Sequence, residues 1–414
     1  MKLSRNVINS HDLKVFNRVS VLDIIRKKGP IARYEVAKLT QLTPPTVTVI
    51  VNELLKAGII NEVGEGESSG GRKPVMLELN SHYGYIFAVR IQRGEIVSAL
   101  VDLAGTILEN RRLKLETAVA EDVAAAVKGC FEQLLEITEI TKQRVLWCGV
   151  ASPGLVDSYR GIVERSANLN WGKVPFGSML AEALQLPVHI ENISNAAALG
   201  EKVYGDGRGF SDLIYLNLSV GIGAGIILNN EVYSGARGYA GEVGHMVLSP
   251  NGGPKCTCGR EGCFEAYCGV QAILERIKVE VPDEIFNQLG LSKARISIDD
   301  VINPRFLKNH EVQEVFQDVA GLIGVMVANL VSLFNINTII LGGELARVGD
   351  CLLKTISREV TERTLAEIGG TVQIFASTMR EDPPLMGVYA LVLNKLFHDA
   401  EWFKLSLFSL KQES

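Results

Sequence analysis

The stretch that organises this chain reads Gly241-Glu242-Val243-Gly244-His245, followed by Cys256-Thr257-Cys258-Gly259-Arg260-Glu261-Gly262-Cys263-Phe264-Glu265. One histidine and three cysteines fall within 19 positions, with glycines at the bends between them. Zn2+ takes four ligands in a tetrahedron, and one His with three Cys is a common closed structural set. A Cys-x-Cys pair meets one metal only if its loop turns tightly, which Gly259, Gly262 and the Gly252-Gly253-Pro254 run permit. The spacing therefore predicts one structural zinc on His245, Cys256, Cys258 and Cys263, clamping the Cys loop against the segment ending at His245.

GEVGHM followed by CTCGREGCFE resembles the signature of the ROK family (repressors, open reading frames and kinases), and the likeness extends over nearly the whole chain. The resemblance implies that the zinc lies beside a sugar pocket. It also assigns the sugar hydroxyls to Glu242, His245 and Glu265, with His245 using one ring nitrogen for the metal and the other for the sugar.

Beyond the metal stretch, the sequence from Tyr83 onward alternates strand-like and helical segments. Residues 85–91 and 96–101 read as a hairpin turning at Gln92-Arg93-Gly94-Glu95. A helix over 116–139 and a buried strand over 144–149 follow, running into a loop that holds Gly154. Polar loops at the carboxyl ends of sheet strands are where ligands bind in α/β proteins. Asn168-Leu169-Asn170-Trp171 reads as a sugar-facing wall of amides and an indole. A strand over 187–191 leads through Asn192-Ile193-Ser194-Asn195 to a helix from about Ala196 to Tyr204. Next come a strand over 213–218, a turn rich in glycine (Gly221, Gly223, Gly225) and a strand over 226–228. Those glycines suit either a phosphate cradle or close strand packing. A helix over 317–334, a strand over 338–341, Gly342-Gly343-Glu344 and a final helix over 385–397 complete the pattern.

By periodicity alone this is α/β in several units; the resemblance implies a two-lobed, actin-like or ribonuclease-H-like body. The expected division is 81–195 for the first lobe, completed by 385–397, then 196–384 for the zinc-bearing lobe and 398–414 for a tail. The resemblance also implies Gly154, Asn168 and Asn192 among the sugar contacts.

Residues 1–80 differ in kind. Lys and Arg exceed Asp and Glu by four there, whereas the remainder has nine more acids than bases. Val15, Val19, Leu22 and Ile25 recur on one helical face, ended by Gly29-Pro30. A helix over 33–40, a turn at Gln41-Leu42 and a helix from Pro44 to about Ala57, capped by Thr43, form a helix-turn-helix. Its second helix leaves Pro45, Thr46, Thr48, Val49 and Asn52 outside, facing a major groove. Two strands around a Gly-rich tip bearing Arg72 and Lys73 make a wing for phosphate or the minor groove. The layout resembles the winged head of ROK repressors, above all those of xylose operons.

Kinases of that family carry Asp-x-Gly on the first strand pair and Asn-Asp after the strand matching 187–191. This chain has Val89-Arg90-Ile91-Gln92-Arg93-Gly94 and Asn192-Ile193. Isoleucine cannot take the proton that phosphoryl transfer requires a hydroxyl to lose. No catalytic residue is therefore expected. The expected function is a cytoplasmic, sugar-responsive repressor that binds a double-stranded operator as a homodimer or homotetramer. The competing readings are a sugar kinase with an accessory head and a ligand-independent regulator acting through a protein partner. Seven cysteines, an odd number, fit a reducing compartment, and Cys130, Cys148, Cys268 and Cys351 read as small core hydrophobes. No run of 18 apolar residues and no apolar leader is present, so no membrane partner is expected.

Overall fold

The computed structural model describes residues 10–67 and 73–398. The head packs helices α1 (Ser10–Lys28), α2 (Arg33–Thr40) and α3 (Pro44–Ala57) over a three-stranded sheet. Its strands are β1 (Ile31–Ala32), β2 (Ile60–Glu65) and β3 (Val75–Leu79), in the order β1-β3-β2. Thr43 caps α3 by accepting from the Thr46 amide, with Pro44 at the first helical position. Val47, Ile50, Val51 and Leu54 turn inward against Val21, Leu22 and Ile25. A helix-turn-helix with a wing is what 33–79 predicted. Arg72 and the tail beyond His398, with Trp402, Phe403 and Phe408, lie outside the described residues.

The body holds two five-stranded sheets built to one plan. In the first, β4 (Tyr85–Gln92), β5 (Glu95–Asp102) and β6 (Ile107–Lys114) form an antiparallel meander. Helix α4 (Ala120–Thr138) then leads to β7 (Val145–Ser152), parallel to β4. After the small hairpin β8 (Leu155–Asp157) and β9 (Ile162–Arg165), α5 (Phe176–Leu184) leads to β10 (Val188–Asn192), parallel to β7.

Helix α6 (Ile193–Tyr204) crosses to the second sheet, where β11 (Leu213–Leu218), β12 (Ile222–Leu228) and β13 (Glu231–Val232) repeat the meander. Helices α7 (Phe264–Cys268), α8 (Val270–Glu280), α9 (Asp283–Leu289), α10 (Ile298–Val301), α11 (Pro304–Leu307) and α12 (His310–Phe334) precede β14 (Thr338–Gly342), parallel to β11. Helices α13 (Asp350–Arg363) and α14 (Ala366–Gly369) lead to β15 (Gln373–Ala376), parallel to β14. Helix α15 (Pro383–His398) then returns to the first lobe. Helix α12 is long and apolar enough to cross a membrane by length and composition, but Val312, Val315, Phe316, Val319, Ile323, Val327 and Val331 are buried in the second lobe's core.

Strand β4 is buried on both faces because two helices cover it. Tyr85, Phe87, Val89 and Ile91 meet α4 through Val127 and Phe131, whereas Ile86 and Ala88 meet α15 through Tyr389 and Val392. The same apolar cluster runs on into Leu22, Ile25 and Leu54 of the head, so head and first lobe share one core.

The structure corrects several boundaries. Helix α6 starts at Ile193, not Ala196, because the Asn192 side chain accepts from the amides of Ser194 and Asn195 and caps it. Strand β12 starts at Ile222, so Gly223 and Gly225 lie within it. A side chain at Gly225 would overlap the Ser194 carbonyl, so this glycine serves close packing of α6 on the sheet. Strand β6 is an element the sequence pattern does not predict, because it is largely exposed and its core alternation is faint.

Candidate functional site

The cleft lies between the lobes at the carboxyl ends of β4, β7, β10, β11 and β14, and has a volume of about 420 Å3. Among its lining residues are Gly154, Asn168, Asn192, Ile193, Glu242, His245 and Glu265. All six residues expected at a sugar thus come to one cavity, although they are spread over 112 positions of chain.

Short-range pairing sets the metal-side wall. The Leu248 amide bonds the Gly262 carbonyl and the Phe264 amide bonds the Met246 carbonyl, which brings Cys263 beside His245. The Cys256 amide bonds the Arg260 carbonyl and the Gly259 amide returns to the Cys256 carbonyl, closing the tight turn the Cys pair requires. The ligand atoms of His245, Cys256, Cys258 and Cys263 lie within 4.8 Å of one another. His245 Nδ1 is 3.6 Å from Cys256 Sγ, and the Sγ atoms of Cys258 and Cys263 are 3.7 Å apart. A tetrahedral centre with bonds of about 2.3 Å to sulfur and 2.0 Å to nitrogen has edges of about 3.8 and 3.5 Å. The donor set therefore fits a metal ion, with the Nδ1 edge of His245 turned toward it. Of the other cysteines, Cys130, Cys148 and Cys268 are buried as expected, and Cys351 is half-buried.

Glu265 is fixed at both oxygens, accepting from the Ile222 amide at 2.9 Å and from Thr257 Oγ1 at 3.2 Å. Half-buried Glu242 has its carboxyl pushed up to about 7, first by burial and then by the negative charge of Glu265. Hydroxyl donors arriving at Glu242 would favour its charged form and strengthen the hydrogen bonds they make. Asn192 lines the cleft with its side chain already engaged: it caps α6 and donates from Nδ2 to the Gly154 carbonyl at 2.9 Å. It holds the Gly154 loop in place.

Trp171 does not face the cleft. It is 5% exposed, packs its ring at a tilt against Phe176 and donates from Nε1 to the Ala118 carbonyl, within the first lobe's core. An indole is large enough that burying it outweighs a place on the wall.

The far end of the cleft was legible only in part. Buried Arg90 donates to Asp382 Oδ2 and to Glu95 Oε2, both at 2.7 Å, and Arg112 donates to Glu95 Oε1 at 2.9 Å. Asp382 accepts from the Leu385 amide at the start of α15. This network occupies the place where the sequence lacks an acid and an early glycine. Its partners lie 5 and 292 positions from Arg90, and the longer of those separations has no local sequence signal.

In the head, Pro45, Thr48, Val49 and Asn52 are exposed along α3 and Thr46 is half-exposed, its hydroxyl 2.9 Å from that of Thr43. Lys73 sits at the foot of the wing, 62% exposed and 3.9 Å from Glu65.

Twin sheets of one topology, closing on a polar cleft with a Cys3His cluster at its rim and a winged head before them, define a two-lobed sugar-kinase-like body joined to a helix-turn-helix unit. The chain belongs to the ROK family, whose model matches residues 86–395. It is similar to a xylose repressor of Bacillus spizizenii, 31% identical over 381 residues that cover 92% of this chain and 96% of the repressor. Among solved structures it is similar to a ROK family transcriptional regulator described as a homologue of the E. coli MLC protein. That match has a TM-score of 0.80 at 27% identity and covers 96% of this chain and 99% of the other. A ROK family glucokinase from Streptomyces griseus, solved with glucose and AMPPNP, matches with a TM-score of 0.67 at 28% identity. It covers 74% of this chain and 99% of the kinase.

Proposed function

We propose that this protein is a sugar-responsive, DNA-binding transcriptional repressor of carbohydrate-utilisation genes. The observation that carries the reading is one helix. The residues that open α15, from Asp382 to Pro384, line the cleft, and its far end packs on α1 of the head. Arg26 of α1 lies 5.0 Å above the Phe397 ring and donates to Asn394 Oδ1. A ligand that closes the lobes moves this rod, and with it the recognition helices. Free and DNA-bound states then differ in sugar affinity by the factor through which sugar alters operator affinity. The relatives support this: the similar repressor is named for xylose, and the chain spans nearly all of its length.

It is not a sugar kinase. Ile193 stands at the head of α6 with no atom that accepts a proton, and Arg90 fills the first hairpin with ion pairs. The metal is zinc, about one per chain, held structurally by His245 and the three cysteines. Glu242, Glu265 and the remaining nitrogen of His245 hold sugar hydroxyls. Thr46, Thr48, Val49 and Asn52 read bases, and Lys73 and Arg72 of the wing hold phosphate. A thiolate-bound metal suits the reducing cytoplasm. A homodimer or homotetramer on a roughly palindromic operator follows from two-fold reading of DNA.

The test is a fluorescent duplex from the region upstream of the neighbouring operon. Sequence-specific binding that a sugar weakens supports the reading. Binding that is equal on unrelated duplexes and lost with salt overturns it.

A further inference from the structure

The cleft has two unlike ends, and the residues expected at a sugar occupy only one. Asn168, Gly221 and Glu265 are mutual neighbours beside His245. The opposite wall, formed by Arg90, Glu95, Arg112, Glu344 and Asp382, belongs to the same cavity. Ile193 lines the same cavity and packs onto the cluster that includes Leu385 and Met386 at the start of α15.

Three features of the far wall describe its ligand. Its charges are largely compensated: Arg90 pairs with Glu95 and Asp382, Arg112 with Glu95, and Arg347 with Asp299. A wall of paired carboxylates and guanidinium groups offers acceptors and donors together, which suits neutral hydroxyls and disfavours a polyphosphate facing Glu95, Glu344 and Asp382. Glu344 is half-buried on this wall and brings a carboxylate whose Oε2 is buried without a hydrogen-bond partner, so its charge lacks the compensation the other acids have. On the cavity lining, apolar Ile193 leaves a hydroxyl without a partner but accommodates a linkage that has no donor.

We propose that the cleft takes a disaccharide: one ring on Glu242, His245 and Glu265, the glycosidic link over Ile193, and the second ring against Arg90, Glu95 and Glu344. This rests on the sugar-responsive reading above and extends it to the class of effector.

The test is calorimetric titration of the full-length protein with matched pairs: xylose and xylobiose, glucose and cellobiose, N-acetylglucosamine and chitobiose, together with Mg-ADP. One disaccharide is expected to bind at least tenfold more tightly than its own monosaccharide. Glu344→Gln should weaken the disaccharide about tenfold and leave the monosaccharide unchanged, and Glu242→Gln should weaken both. Equal affinity within every pair, or binding of a monosaccharide alone, overturns the second ring and leaves the sugar-responsive reading intact. Loss of both members to the same extent in Glu344→Gln also overturns it. Mg-ADP competing with the disaccharide would make the far wall a nucleotide site. No binding by any sugar overturns both readings. The wild-type pair comparison needs no variant to fold.

Discussion

At Cys258 the chain places one of its two half-buried candidate metal ligands, on a turn and 3.7 Å from Cys263. Backbone pairing of 246–248 with 262–264, and of Cys256 with Arg260, holds the Cys loop against the segment that follows His245. Removing one thiolate should therefore empty the site while leaving the sheets intact. Cys258→Ser is expected to lower bound zinc from about one per chain to near none. The zinc-bearing lobe should also melt earlier. Metal analysis by mass spectrometry with a thermal melt checks this, and unchanged metal content would sink the assignment. On the same reading, loss of zinc should also weaken sugar binding, because a metal held at Nδ1 would orient the His245 ring.

In the proposed reading, helix α3 and the wing divide the work of reading DNA between specificity and grip. Asn52 is exposed on the recognition helix, whereas Lys73 is an exposed cation at the foot of the wing. Asn52→Ala is expected to cost about 1–3 kcal/mol on the cognate operator and to relax preference at one base pair. Lys73→Ala should weaken all duplexes alike and lower the salt dependence by about one charge. Anisotropy titrations on matched and mutated duplexes at several salt concentrations separate the two. If Asn52→Ala weakens every duplex equally, the helix does not face base edges. Helices α6 and α15 make a different kind of contact, crossing at glycine. A Cβ at Gly387 would overlap the Ala196 carbonyl, and one at Gly200 the Pro383 carbonyl, both rigid backbone. Gly387→Ala should destabilise the protein by about 3 kcal/mol or more, since neither helix can yield without disturbing its sheet. Denaturant unfolding measures it, and a change below the experimental error would mean the crossing adjusts freely.

Over the whole molecule, one helix joins the cleft to the head. Asp382 ties the start of α15 to Arg90 of β4, and Phe397 at the other end is fully buried beside Arg26. Arg26→Ala removes a cation–π contact of roughly 0.5–2 kcal/mol without touching the cleft or the recognition face. Operator and sugar should each still bind with near-native affinity. What should shrink is the coupling, the factor by which saturating sugar changes operator affinity. Titrating operator with and without sugar gives that factor directly. An unchanged factor would exclude this contact as the route.

Local chemistry determined a good deal of this protein. The Thr43 cap and Pro44 placed α3 to the residue, and the cysteine spacing found the metal cluster. The apolar runs over 85–91 and 213–218 located two strands that are central in the two sheets. Those signals are short-range: a cap, a turn or a strand is legible within a few neighbours. Tertiary structure decided what depends on partners far along the chain. Trp171 next to two asparagines reads as a ligand wall, yet the hydrophobic effect drew it into the core against Phe176. Gly223 and Gly225 read equally as a phosphate cradle, until α6 packed across them. Arg90 was legible as a missing acid but not as a latch, because Asp382 lies 292 positions away. A charge declares its need for a partner in the sequence, but only the packed chain decides which carboxylate answers it.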